Sequence, residues 1–74
     1  MEDRVFQVMS SVFRIPVESL NIESSFDTID QWDSLQHMNL IFALEDEFGL
    51  TIDDEVVAEL TSVKSILEAL ADAQ

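Results

Sequence analysis

Of the serines in this chain, Ser34 stands apart by its neighbours. It follows Asp33, precedes Leu35, and opens an apolar-periodic run that continues to Phe48. Aspartate is a strong helix N-cap, so a hydroxyl directly after it is expected at the first helical position. There it projects from the helix end, within reach of another enzyme. Joining a phosphate to that oxygen would place negative charge where unpaired N–H groups and the helix dipole favour it. Asp-Ser at a helix start also serves simply as a cap, so the rest of the chain must decide whether chemistry is implied.

The other candidates for chemistry are thin. His37, the single histidine, follows Ser34 by three residues and falls on the core-facing arc of the same helix. A Ser–His nucleophile pair also needs an orienting third group and an oxyanion site, so no catalytic residue is assigned. Asp27, Asp30 and Asp33 recur every third residue. A calcium loop instead needs acids at alternate positions, a central glycine and a terminal glutamate. No specific metal site is expected, although clustered acids should gather divalent ions loosely. Without cysteine, neither a disulfide nor a thiolate metal site can brace the fold.

A chain of 74 residues is expected to form one domain, residues 1–74, stabilised by helix packing. Val5, Val8, Met9, Val12 and Phe13 recur at helical spacing, which predicts a first helix over about Glu2 to Arg14, stopped by Ile15-Pro16. Pro16 to Asp33 reads as a long ordered loop, pinned across the bundle by Val17, Leu20, Ile22, Phe26, Ile29 and Trp32, with room for one short helical turn. The second helix is predicted over Ser34 to Phe48, with Asp33 as N-cap, Gln36 completing a capping box, and Gly49 as C-cap. A short third helix is expected over Thr51 to Glu59, with Asp53, Asp54 and Glu55 in its first turn, and a fourth after Thr61 or Ser62 through Val63, Ile66, Leu67 and Leu70. The expected fold is all-α: a small four-helix bundle of three main helices and one short one, with the long loop between helices one and two.

The second helix carries two apolar faces. At about 100° per residue, His37, Leu40, Ile41, Leu44 and Phe48 share a broad core side, whereas Leu35, Met38 and Phe42 form a separate stripe bordered by Asn39, Glu45 and Asp46. Either the loop folds over that stripe, or it is an exposed seam ringed by acids, as a docking surface would be. Charge favours docking. The formal net charge is −13, and Asp33 to Glu59 holds eight acids and no Lys or Arg. Such a surface is steered towards basic patches on partner proteins. It does not suit nucleic acid or an anionic membrane, both of which need clustered cations. The acidic start, Glu2-Asp3-Arg4, and the lack of a long apolar run predict a cytoplasmic protein without stable membrane association.

The pattern resembles the acyl carrier protein family. The resemblance rests on Asp33-Ser34-Leu35, the apolar Met38, Leu40, Ile41 and Leu44, then Glu45-Asp46-Glu47-Phe48-Gly49, and it extends through Ile52-Asp53-Asp54-Glu55 and Thr61-Ser62-Val63. It implies a discrete, monomeric, non-catalytic carrier that holds an acyl thioester on 4′-phosphopantetheine joined to Ser34. It also implies that Asp33 and Leu35 are read by the carrier-protein synthase (a phosphopantetheinyl transferase). Met38, Phe42, Glu45 and Asp46 match recognition positions for loading, condensing or transferring enzymes of fatty-acid, polyketide or related biosynthesis. Two departures bear on the pathway: Gln31-Trp32 replaces a common glycine, as in specialised stand-alone carriers, and Val56-Val57 stands where housekeeping carriers are more acidic. Two rivals remain at this point: an aminoacyl or peptidyl carrier with the same arm, and an unmodified acidic helical adaptor.

Overall fold

The computed structural model describes residues 2–73. Helix α1 spans Glu2–Phe13, a 3-10 turn spans Val17–Ser19, α2 spans Ser34–Phe48, α3 spans Asp54–Val57 and α4 spans Val63–Ala73. The expected small helical bundle is what forms, with α2 at its predicted bounds.

Helix α1 stops one residue early. Arg14 takes a left-handed conformation with φ 58, and the Ile15 N–H reaches back to the Ser10 carbonyl, so the chain turns before proline is met. Val5, Met9 and Phe13 of α1 pack against Leu40, Ile41 and Leu44 of α2 and Val63, Ile66 and Leu70 of α4 in one core. At the opposite end of that interface Arg4 lies 4.5 Å over the Phe48 ring. Its Nε donates to Glu47 Oε2 at 3.1 Å and its Nη2 to the Glu47 carbonyl at 2.8 Å.

The loop between α1 and α2 is ordered by three means. Leu20, Ile29 and Trp32 are buried in the core. An antiparallel bridge joins Ser25 to Ser62, through Phe26 N–H to the Thr61 carbonyl and Val63 N–H to the Ser24 carbonyl. Local turns are closed by the Asn21, Ser24 and Thr28 side chains. Only half of the expected apolar pins are buried: Val17, Ile22 and Phe26 remain exposed, because the backbone bridge already fixes that stretch to the start of α4.

Helix α3 is shorter than Thr51 to Glu59. Asp53 is extended and makes no side-chain cap, and the Ile52 N–H leaves helical geometry to meet the Glu45 carboxylate at 2.7 Å. Beyond Val57 the chain closes tight turns, Glu59 N–H to Val56 O and Leu60 N–H to Val57 O. Ser62 caps α4: its Oγ accepts from Ser65 N–H while Ser65 Oγ accepts from Ser62 N–H, both at 3.1 Å.

Candidate functional site

The N-terminus of α2 is organised by Asp33. Its extended backbone lets the carboxylate accept the Gln36 N–H at 2.8 Å, and its carbonyl accepts the His37 N–H at 2.8 Å. The capping box is only half made. Gln36 Oε1 takes the Asn39 side-chain amide at 3.1 Å, and the Asp33 N–H goes instead to the Gln31 carbonyl. With Asp33 serving as the cap, Ser34 is free of that task. It is exposed, and among the described residues its hydroxyl has no hydrogen-bond partner; the Ser34 and Leu35 N–H groups likewise lack an acceptor. A phosphodiester on Ser34 Oγ fits this end: the oxygen is accessible, and N–H donors stand unpaired beside it.

Directly behind this end stands the indole of Trp32, only 2% exposed. Its Nε1–H donates to His37 Nδ1 at 2.9 Å, and the two rings stack at 6.0 Å between centroids. On its other side His37 Nε2 meets the Val57 carbonyl at 2.8 Å. Indole can only donate and a carbonyl can only accept, so both bonds are made together by the Nε2–H tautomer. The imidazole is half-buried, as its core-facing arc predicted, but its bonds are to loop and α3, and none reaches Ser34.

The second apolar face of α2 is exposed. Leu35 is 72% exposed, Phe42 60% and Met38 40%, and the loop does not cover them. The acids beside this stripe differ in their ties. Asp46 is exposed, whereas Glu45 is half-buried and uses one carboxylate oxygen to hold Ile52. Sequence pattern could place Glu45 on the rim of the stripe but could not reveal this inward bond, which depends on where α3 folds back.

Beneath α3 lies an apolar cavity of about 250 Å³, lined by Leu44, Ile52, Val56, Leu60, Ile66 and Leu70 among others. Among the described residues no three His, Cys, Asp or Glu side chains come together as a metal site, and no helix is long and apolar enough to cross a membrane.

A small helical bundle with an exposed serine at the mouth of its longest helix is the arrangement that the resemblance to carrier proteins implied. The family model for the phosphopantetheine attachment site matches residues 3–70, and the chain belongs to that family. Domains of this family carry 4′-phosphopantetheine covalently on a serine and work with phosphopantetheinyl transferases and biosynthetic enzymes.

Proposed function

We propose that residues 1–74 form a single, monomeric acyl carrier domain, non-catalytic in itself, with the arm on Ser34. The observation that carries this reading is the division of labour at the start of α2: Asp33 caps the helix and leaves the Ser34 hydroxyl exposed and, among the described residues, unbonded. Ser11 and Ser19 are also exposed, but they lie within α1 and the 3-10 turn. Once bound, the arm supplies a thiol that holds cargo as a thioester. The chain's own residues provide the anchoring oxygen and the docking face. Asp33 and Leu35 are read by the transferase. Met38 and Phe42, with Glu45 and Asp46 beside them, engage basic, partly apolar patches on loading, condensing or transferring enzymes in the cytoplasm.

The apolar cavity beneath α3 favours an acyl cargo, as in fatty-acid, polyketide or related biosynthesis, over an aminoacyl or peptidyl one. Incubation with coenzyme A, Mg²⁺ and a phosphopantetheinyl transferase should add one phosphopantetheine group, mapping by fragmentation to Ser34. Ser34→Ala should fold and stay unmodified. Modification at another serine would overturn the site assignment. No modification by any competent transferase would favour an unmodified adaptor that docks through the same face.

A further inference from the structure

We propose that His37 is a proton-sensitive latch: its neutral imidazole fastens α3 to α2, and protonation releases it. The proposal stands independently of which group Ser34 carries. Segment 50–60 receives two side-chain hydrogen bonds from the rest of the described chain, and both come from α2. Glu45 holds the Ile52 N–H before α3, and His37 holds the Val57 carbonyl at its end. Leu60 anchors the end of this segment in the core. Val56 and Val57 of α3, however, are only half-buried against it, and Asp53 offers no side-chain cap, so the two ties add to a thin apolar contact.

The His37 tie depends on one proton. Trp32 Nε1–H donates to His37 Nδ1 at 2.9 Å, and the indole has no other way to bond. A proton on Nδ1 would set two N–H groups against each other. The buried Trp32 cannot turn away without leaving the core, so the imidazole must rotate, and rotation withdraws Nε2 from Val57. The neighbouring elements contribute Asp30 and Asp33 before α2, and Asp53, Asp54, Glu55 and Glu59 around α3. All are exposed, and none pairs with the imidazole, since Arg4–Glu47 is the one ion pair within 4 Å among the described residues. No carboxylate is placed to replace the lost indole bond. On release α3 swings about its Ile52 end, and Val56, which lines the apolar cavity, moves with it.

The test is amide hydrogen exchange by NMR, corrected for intrinsic rates, on the full chain from about pH 8 to pH 5, the range in which imidazoles titrate. In the wild type, protection of the Val56, Val57, Glu59 and Leu60 amides should fall about tenfold, the scale of one lost buried hydrogen bond. That loss should track the His37 ring titration and a shift of the Trp32 indole N–H resonance, while α1 and α4 stay protected. His37→Gln, which offers a donor and an acceptor but no titration, should keep α3 protected across the range. His37→Ala should leave α3 unprotected throughout. The latch is overturned if α3 protection is unchanged while the imidazole titrates, or if His37→Gln shows the same acid step. Those two measurements decide the matter even where His37→Ala fails to fold.

Discussion

Leu44 and Phe42 sit two residues apart on α2 and meet opposite fates. Leu44 is fully buried among α1 and α4, whereas Phe42 is 60% exposed on the far side. The same contrast separates Leu40 and Ile41 from Leu35 and Met38. Equal hydrophobicity has been given two uses: one face is satisfied inside the chain, and the other awaits a surface brought by something else. Apolar character alone thus does not define a core; the elements available to cover it do.

The most forceful way to break this comparison is truncation on each face. Leu44→Ala should destabilise the domain by about 2–5 kcal/mol, combining lost transfer energy with a cavity. Phe42→Ala should stay within about 0.5 kcal/mol, as exposed substitutions do, while weakening binding to a partner enzyme. Urea unfolding of both variants decides it, and a Phe42→Ala loss as large as that of Leu44→Ala would mean the outer stripe is core.

A smaller effect sharpens the comparison on the acidic rim. Glu45→Ala should cost about 1.5 kcal/mol, because it leaves the Ile52 N–H without its charged acceptor, whereas Asp46→Ala should change stability by no more than about 0.5 kcal/mol. Reversal of Asp46 to Lys should instead slow association with a basic partner, most visibly at low salt. Thermal melts and stopped-flow binding separate the two acids, and equal stability losses would remove the distinction. A smaller loss than that of Glu45→Ala is expected at the cap. Asp33→Ala should lower stability by about 1 kcal/mol through the lost Gln36 bond, measurable as a lower urea midpoint. No loss would show that the cap is dispensable for folding.

What could be read in the residue string was local. Asp33 and Gly49 bound α2 because capping depends on a few neighbouring atoms: the Asp33 carboxylate on Gln36, and the left-handed Gly49 whose N–H returns to Glu45. The two faces of α2 were equally legible, since the helical period alone separates them. The errors lie where a contact or a backbone turn that the pattern does not encode displaces the expected one. Gln36 was expected to close a capping box, but Asn39 one turn on competes for its side chain. Helix α3 was drawn too long because the Ile52 N–H bonds the Glu45 carboxylate instead of joining a helical turn. The pairing of Trp32, His37 and Val57 across 25 residues of chain had no signature in spacing, since it required α3 to be already folded back. Arg14 could not be foreseen as a left-handed residue, because glycine usually takes that position.

The burial of Trp32 has a practical consequence. It is the single tryptophan of a chain without tyrosine, and it packs between Phe13 at 5.3 Å and the His37 ring, two residues before Ser34. Near-ultraviolet excitation above the phenylalanine band therefore addresses one indole only, seated behind the attachment end and touching α1, the loop and α2 at once. The domain carries its own optical probe, and a fluorescence trace from unlabelled protein can be assigned to one place in the fold.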